Sequence, residues 1–225
     1  MAVGFRILPR GRAVSADQVE KFKQLPVANV SDSMDRMLGA GATLRPLHRG
    51  SRLAGPAITV KARPGDNLMV HAAIDRASPG DIIVVDAGGD LTNAIIGELM
   101  IAHAAWLGLG GFVINGAVRD LAAIRDGDFP VFAAGVTHRG PYKMGPGEVN
   151  VPIAIGGMVI EPGDLMLGDD DGLVAIPFAD VENVYAAAAK KHSAETAQLD
   201  RIAKGQNNRQ WVEDALVAAG CEIHQ

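Results

Sequence analysis

The stretch GELMIAHAAWLGLGGFVINGAVRD, which begins at position 97, constrains the fold more than any other part of the chain. From Glu98 to Gly108, apolar residues recur at helical spacing, and the glycines that follow predict the end of a helix. Phe112 to Ile114 then predict a short buried strand. A helix of about ten residues rises ~15 Å, and a strand of about five residues returns ~16 Å. Glu98 should therefore lie beside Arg119 and Asp120, just past the strand, where open α/β layers bind ligands. The apolar positions of the helix are Leu99, Ile101, Ala102, Ala105 and Trp106.

The start of this helix is a candidate anion site. Gly97 precedes the helix, so the free N–H groups of Glu98, Leu99 and Met100, together with the helix dipole, are suited to a carboxylate. A glycine at this place is equally well explained as an ordinary helix entry residue. The sequence leaves both interpretations open.

The dipeptide Arg119-Asp120 supplies complementary chemistry. The planar guanidinium of Arg119 is suited to an oxyanion, and the carboxylate of Asp120 is a hard oxygen ligand for Mg²⁺ or Mn²⁺. An Arg-Asp pair is more often a solvated surface pair. Its position after an apolar strand and a predicted turn at Asn115-Gly116 favours the functional interpretation.

Composition excludes several classes of protein. Hydrophobic residues make up 48% and charged residues 21% of the 225 residues, as in soluble globular chains. The net charge of −5 and the absence of a Lys/Arg run argue against nucleic-acid binding. The single cysteine, Cys221, excludes an internal disulfide framework and a cysteine-based zinc site. No apolar run is long enough for a membrane span, so we expect a cytoplasmic protein.

Other motifs predict scaffold rather than chemistry. Ser15 opens a helix with a capping box, Asn29 begins a second helix that should end at Gly39, and Pro-Gly-Asp occurs three times as turn chemistry. The run DDDG from position 169 predicts a hairpin turn, not a calcium site. Neither GxGxxG nor a phosphate loop is present. His71 is interpreted as a packed or surface histidine.

Two further expectations concern the second half of the chain. The loop THRGPYKMG holds His138, Arg139 and Lys143, which either touch an anionic substrate or are solvated. Strands alternate with helices up to position 133, and strands then dominate, which predicts one α/β domain with a central β layer flanked by helices.

The spacing Glu98-x20-Arg119-Asp120 resembles the acidic-x20-Arg-Asp signature of the 4-hydroxy-4-methyl-2-oxoglutarate aldolases, which share a fold with the regulator of ribonuclease E activity A. The resemblance runs from about Ser31 to Gly205 and includes LAGPAITVKARPGDN, SPGDIIVVDAGG and NGAVRD. It implies a swivelling-type β-β-α sandwich over residues 1–205, assembled as trimers or hexamers. Residues 206–225 would form a tail that docks on the domain or on a neighbouring subunit.

The resemblance also implies a reaction. It is the metal-dependent (class II) cleavage of 4-hydroxy-4-methyl-2-oxoglutarate, or a related 4-hydroxy-2-oxo diacid, to pyruvate and a carbonyl product. Oxaloacetate decarboxylation would be a side activity, because it passes through the same pyruvate enolate. Asp120 would bind Mg²⁺ or Mn²⁺, and Arg119 would stabilise the enolate oxygen.

The remaining roles follow from the same resemblance. The Leu99 and Met100 amides would hold the pyruvate carboxylate, and Glu98 would order a metal-bound water or relay a proton. Glu195, ten residues before Gly205, is the nearest match to a glutamate that joins the site from a neighbouring subunit.

Two other functions stay open. One is a non-enzymatic regulatory protein resembling the ribonuclease E inhibitor. The other is a methyltransferase, for which no glycine-rich adenosylmethionine loop is found.

Overall fold

A computed structural model of the chain describes residues 3–50 and 52–224. The helices are α1 (Ala16–Phe22), α2 (Val27–Asp32), α3 (Leu68–Ile74), α4 (Glu98–Trp106), α5 (Leu121–Asp126), α6 (Val181–Ala203) and α7 (Gln210–Ala218). The strands are β1 (Phe5–Ile7), β2 (Arg45–Pro46), β3 (Leu53–Ala62), β4 (Ile82–Asp86), β5 (Ala94–Ile96), β6 (Gly111–Val118), β7 (Val131–Val136), β8 (Gly147–Val149), β9 (Ile153–Ile155), β10 (Met158–Ile160), β11 (Leu165–Asp169) and β12 (Gly172–Ile176).

A large mixed sheet organises the molecule, with strand order β1-β8-β3-β4-β6-β7-β2. Its centre is parallel: β3, β4, β6 and β7 are consecutive parallel neighbours, and β5 pairs with β6 near the end of that strand. The ten-residue β3 is shared, because its first half pairs with β11 and its second half with β4. The fold is therefore mixed α/β with a central sheet flanked by helices, as the sequence predicts.

Alternate residues of the central strands supply two cores. Ile83 and Val85 face the layer formed by α3, α4 and α5, while Ile82 and Val84 face β9 and β10. All four side chains are fully buried, as expected for a parallel strand covered on both faces. A third cluster packs α1, α2 and α6 against β11 and β12.

The N-terminal helices agree with the sequence in one case and depart from it in the other. Ser15 caps α1 with a complete capping box, as predicted. The second helix begins at Val27 rather than Asn29, and it ends at Asp32 instead of reaching Gly39. Asp35 and Arg36 have φ values of 54° and 62°, so the backbone there leaves the right-handed helical region.

The buried face of α4 differs from the expectation. Leu99 and Trp106 are 83% and 80% exposed, whereas Ala104 is fully buried and Met100 and Ile101 pack against the core. A helix that is apolar on nearly every side gives no periodic signal for its buried face. The tertiary structure selects the face, and it leaves an apolar stripe outside.

The predicted turn at Asn115-Gly116 is wrong. Both residues lie inside β6, which continues to Val118. The pairing of β6 with β7 shifts in register between Ile114 and Ala117, so an irregularity in the ladder accounts for these turn-prone residues.

The second half of the chain is rich in strands up to Ile176, as predicted. Asp169 pairs with Gly172 in the antiparallel β11–β12 hairpin, which confirms the hairpin turn. The long α6 follows, and no residue of α7 is buried. Within the described residues, no helix is long and apolar enough to cross a bilayer.

Candidate active site at the carboxyl ends of two parallel strands

Two strand ends bring the predicted residues together. Ile96 at the end of β5 pairs with Val118 at the end of β6, and the Arg119 N–H donates to the Ile96 carbonyl at 3.0 Å. Two residues beyond the paired Ile96 and Val118, the Glu98 N–H donates to Asp120 Oδ2 at 2.9 Å. The structure thus places the start of α4 against the Arg-Asp pair. The catalytic roles of these residues stay predictions.

Gly97 is required by space rather than by backbone conformation. Its φ of −155° is an extended value that any residue adopts. A Cβ atom at this position would lie 2.4 Å from Asp120 Oδ2 and 2.9 Å from Arg119 Cγ. The close approach of the Arg-Asp pair therefore requires a glycine here, a role that neither of the two interpretations left open by the sequence includes.

Asp120 has an uncommon backbone conformation. Its φ and ψ are 59° and 41°, in the left-handed region, where Asp and Asn are the best tolerated residues after glycine. This conformation turns the chain from β6 into α5. Arg119 Nε lies 3.6 Å from Asp120 Oδ2, and the two side chains are 42% and 40% exposed. Both charged groups are therefore accessible to a ligand.

The first amides of α4 are partly engaged. The Glu98 N–H binds Asp120, and the Met100 N–H donates to the Gly97 carbonyl at 3.1 Å. A substrate carboxylate at this helix end would share the Met100 amide with Gly97. The Leu99 side chain projects into solvent.

A cleft of about 130 Å³ lies beside these residues. Its wall includes Asn67 and His71 from α3 and its preceding turn, Met100 from α4, Arg119, and Lys143 from the loop that the sequence left undecided. Pockets for drug-sized ligands are typically about 300–1,000 Å³, so this cleft is suited to a molecule of a few heavy atoms. The cations of Arg119 and Lys143 favour an anion.

Asp66, which the sequence analysis did not single out, positions the Lys143 loop. It is 1% exposed, and its Oδ2 accepts the N–H groups of Met144 and Gly145 at 2.7 and 2.9 Å. Its Oδ1 accepts the Leu68 N–H at 2.9 Å. The Pro-Gly-Asp turn at Pro64 thus does more than reverse the chain, because its aspartate joins the loop to α3.

The same loop packs against Arg119. A Cβ atom on Gly140 would lie 3.2 Å from Arg119 Nη1, and the Gly140 carbonyl accepts from Asn93 Nδ2 at 2.6 Å. Arg139 contributes its carbonyl to the Ala94 N–H at 2.8 Å. The loop therefore has a fixed place beside the guanidinium.

Two polar groups in the cleft wall have unusual surroundings. Asn67 is 2% exposed, and its Nδ2 donates to the Ile95 carbonyl at 2.9 Å while its buried Oδ1 has no partner among the described residues. Partial burial, and secondly the charge of Lys143, lower the pKa of His71 below its usual value of 6.5. Its imidazole is consequently neutral at pH 7.

The donor set at Asp120 is that of a weak, water-rich metal site. Within the described residues, no group of three or more His, Cys, Asp or Glu side chains is arranged to hold a metal. One accessible carboxylate is consistent with Mg²⁺ or Mn²⁺, since Mg²⁺ commonly keeps several waters and is held by one or two carboxylates plus substrate oxygens. The residues fit such an ion, with Asp120 as its protein ligand.

Glu195 lies in a different cluster. Its Oε2 accepts from Asn29 Nδ2 at 2.6 Å, and its Oε1 lies 3.1 Å from Lys191 Nζ, which also reaches Asp32 at 3.0 Å. The hydrogen bond from Asn29, and then that from Lys191, lower its pKa. Its polar contacts thus join α6 to α2, on the side of the molecule that packs on β11 and β12.

A larger cleft, of about 590 Å³, lies elsewhere. It surrounds the Arg10–Asp81 ion pair and Gly80, next to the amino end of β4. Ligands of open α/β sheets bind at the carboxyl ends of the strands, so the smaller cleft is the better candidate despite its size.

Fold and site together describe an α/β protein with a small cleft that carries two cationic side chains, next to an accessible carboxylate at the carboxyl ends of its strands. The family model described as RraA-like, Aldolase/RraA, matches residues 27–175. The chain belongs to this RraA-like family.

Individual relatives agree with that assignment. The chain is 43% identical over 182 residues, covering 81% of this chain and 87% of the relative, to a putative 4-hydroxy-4-methyl-2-oxoglutarate aldolase of Halalkalibacterium halodurans. An uncharacterized protein from Pseudomonas syringae has a TM-score of 0.78 at 26% identity, over 86% of this chain and 95% of the other. The RNA-processing inhibitor RraA from Thermus thermophilis has a TM-score of 0.63 at 30% identity, over 68% and 92%.

Proposed function

We propose that the chain is a divalent-metal-dependent pyruvate aldolase that cleaves 4-hydroxy-4-methyl-2-oxoglutarate or a related 4-hydroxy-2-oxo diacid, with oxaloacetate decarboxylation as a second activity. One observation carries the proposal: the Glu98 N–H binds Asp120 beside Arg119, and Arg119 lines a cleft that also presents Lys143. This arrangement combines a hard metal ligand with two cations at a site sized for a small oxo acid. The name of the 43% identical relative supports the same reaction.

In this mechanism, Asp120 would hold a divalent ion, which would supply Lewis acidity toward the 2-oxo acid group. The protein's own groups orient the substrate, stabilise its charge and transfer the proton. The helix start at Leu99 and Met100 orients the substrate carboxylate, and Arg119 stabilises the negative charge that develops on the enolate oxygen. Glu98, at the rim, relays a proton to the pyruvate enolate. Decarboxylation of oxaloacetate produces the same enolate, so it uses Arg119 in the same way.

The test is pyruvate release from both substrates by purified protein, with and without divalent metal. We expect activity to require added Mg²⁺ or Mn²⁺ and to disappear after EDTA treatment, because a site with one protein carboxylate holds metal weakly. Readdition of the metal should restore the rate. Pyruvate formation that is undiminished after exhaustive chelation would contradict the metal-dependent mechanism.

A regulatory role is the second candidate, and the 30% identity to the RraA structure favours it. That match covers 68% of this chain. Protein that releases no pyruvate from any 4-hydroxy-2-oxo acid or from oxaloacetate, with metal present, would favour the regulatory function.

The proposal includes a homo-oligomer, either a trimer or a hexamer, in the cytoplasm. Its support is the apolar surface that this chain leaves open. Leu99 and Trp106 on α4, Leu199 on α6 and Trp211 on α7 are all at least 65% exposed. Large exposed apolar side chains of this kind are typical of subunit contacts. Glu195 would then reach the site of the next subunit, and the tail from residue 206 would cover a neighbour.

Sharing of the site between subunits is testable by mixing inactive chains. Arg119→Ala and Glu195→Ala chains, unfolded and refolded together in equal amounts, should regenerate intact sites at about a quarter of interfaces in a head-to-tail ring. Pyruvate release should therefore reappear from two inactive parents. If Glu195 acts within its own chain, the mixture stays inactive.

The control pairs two variants on the same side of the interface. Arg119 and Asp120 are adjacent in one chain, so a refolded mixture of Arg119→Ala and Asp120→Ala chains should recover no activity. Recovery in that mixture would show that chain exchange is not the cause.

A further inference from the structure

Asn67 lies at the start of α3, but its side chain does not cap this helix. It precedes α3, but its side chain makes no capping hydrogen bond, and Asp66 Oδ1 instead accepts the Leu68 N–H at 2.9 Å. The Asn67 Oδ1 atom therefore does not accept a backbone N–H of the helix, as an asparagine at this position usually does.

The orientation of the Asn67 amide follows from its surroundings. Nδ2 donates to the Ile95 carbonyl at 2.9 Å and lies 3.3 Å from Met100 Sδ. Turning the amide over would place Oδ1 against the Ile95 carbonyl, so that two acceptors would face each other. Oδ1 is thus left as a buried acceptor on a residue of the cleft wall, with no donor among the described residues. Such groups are rare in folded proteins and need a partner.

The charge in the cleft limits what that partner is. Arg119 and Lys143 line the same cleft, so a cationic donor such as an ammonium group is disfavoured. Carboxylates have no hydrogen to donate to Oδ1. A neutral hydroxyl group is the remaining donor that a small oxo acid carries, and a 4-hydroxy-2-oxo diacid has one.

His71 lies one helical turn after Asn67 on the same face of α3, because residues four apart are neighbours on a helix. The His71 N–H donates to the Asn67 carbonyl at 3.1 Å, and both residues line the cleft. Asn67 and His71 thus belong to the same part of the cleft wall.

We propose that Asn67 and His71 form the hydroxyl-binding part of the site, with Asn67 Oδ1 as the hydrogen-bond acceptor and a ring nitrogen of His71 as the group that receives the hydroxyl proton. The inference rests on the proposed aldolase function and assigns a residue to the step that breaks the carbon–carbon bond. The O–H bond breaks and its proton passes to His71. The C4–O bond becomes a carbonyl, the C3–C4 bond breaks, and its electron pair forms the pyruvate enolate.

Oxaloacetate offers an internal comparison. Its decarboxylation starts from an ionised carboxylate, so no O–H proton has to be removed before carbon dioxide leaves. His71 and the hydroxyl-binding role of Asn67 are then needed for aldol cleavage only. Arg119 is needed for both reactions.

The experiment measures kcat/KM for 4-hydroxy-4-methyl-2-oxoglutarate cleavage and for oxaloacetate decarboxylation in parallel. His71→Gln should lower cleavage by about 10²-fold or more, which is typical for loss of a general base. Decarboxylation should stay within about threefold, because the remaining machinery is intact. The matched control is His192→Gln, which removes a histidine on α6 that does not line the cleft. Both of its activities should stay at the wild-type level.

The pH profile separates proton transfer from a structural role. Cleavage needs neutral His71, so its kcat/KM should fall as pH drops through the pKa of His71, which lies below 6.5. Three neighbouring groups also act on that pKa: interactions with Lys143 and His103 lower it, and interaction with Asp75 raises it. The acidic limb that belongs to His71 should be missing from His71→Gln cleavage and from wild-type decarboxylation.

Asn67→Ala tests the acceptor itself. Its KM for the hydroxylated substrate should rise about tenfold, consistent with loss of one hydrogen bond. The inhibition constant of 2-oxoglutarate, which lacks the hydroxyl, should stay within about threefold. Because Asn67 also binds the Ile95 carbonyl, the thermal unfolding of this variant is measured alongside its kinetics. If Asn67→Ala does not fold, the comparison of the two activities of His71→Gln tests the proposal.

Three outcomes are distinguishable. Wild-type protein that cleaves no hydroxy acid contradicts the aldolase function itself. Cleavage in the wild type with equal loss of both activities in His71→Gln, or with no loss, overturns the assignment of His71 and Asn67 alone. Selective loss of cleavage, with the altered pH profile, supports it.

Discussion

Asp120→Asn is expected to lower metal-dependent pyruvate release by about 10³-fold or more, since a catalytic metal contributes several kcal/mol and each 1.36 kcal/mol is about tenfold in rate. The fold should be unaffected. Asn tolerates the left-handed backbone of this position as well as Asp does, and its side-chain oxygen is able to accept the Glu98 N–H. The substitution therefore removes the charge and little else. Activity across a metal titration, together with the melting temperature, provides the measurement.

Asp126→Asn is the matched control, because it makes the same change at an exposed position on the helix that follows. It should keep full activity.

Gly97→Ala tests the position of the same carboxylate, since its methyl group would lie 2.4 Å from Asp120 Oδ2 and must displace it. We expect this variant to lose activity with the Asp120 charge still present. An Asp120→Asn enzyme with normal metal-dependent turnover would remove Asp120 from the proposed metal site.

Arg119→Lys should lower both aldol cleavage and oxaloacetate decarboxylation by about 10²–10³-fold, the usual cost of losing one oxyanion stabiliser. Both reactions place negative charge on the same enolate oxygen, so the two losses should be similar. Lysine does not restore the function, because it lacks the planar guanidinium whose Nε lies 3.6 Å from Asp120 Oδ2. The comparison of kcat for the two substrates is the measurement.

The control for Arg119 is Arg125→Lys, an exposed arginine on α5. Its turnover should match the wild type. If Arg119→Lys retained near-normal rates on both substrates, Arg119 would be a partner of Asp120 without a catalytic role. Arg119→Lys is expected to lose both activities, whereas His71→Gln is expected to lose only aldol cleavage. The two variants therefore distinguish charge stabilisation from proton transfer.

Local chemistry made part of the fold and part of the site predictable. The capping box at Ser15 and the Asp169–Gly172 hairpin turn depend on residues a few positions apart, and both are found. The meeting of Glu98 with Asp120 follows from the rise of one helix and the length of one strand, which are nearly constant in proteins. Such features require no knowledge of the remaining chain.

Features that depend on distant partners were not predictable in this way. Asn115 and Gly116 have the composition of a turn, yet pairing with β4 and β7 holds this region in a strand. The buried face of α4 was equally undecided, because its apolar residues surround the helix. Packing against the sheet selected Ala104 and left Trp106 outside. Propensity was overridden in both cases by tertiary contacts.

The sequence by itself determined the α/β class, because strand and helix patterns alternate along the chain. It also determined the approach of Glu98 to the Arg119-Asp120 pair, because that depends on backbone geometry within one short segment. The tertiary structure alone decided that Asn67, His71 and Lys143 share the cleft with Arg119. Asp66 holds the loop that carries Lys143 through a contact with Met144 that spans 78 positions. Contacts over such separations arise from the packing of whole elements, and no local pattern of residues specifies them.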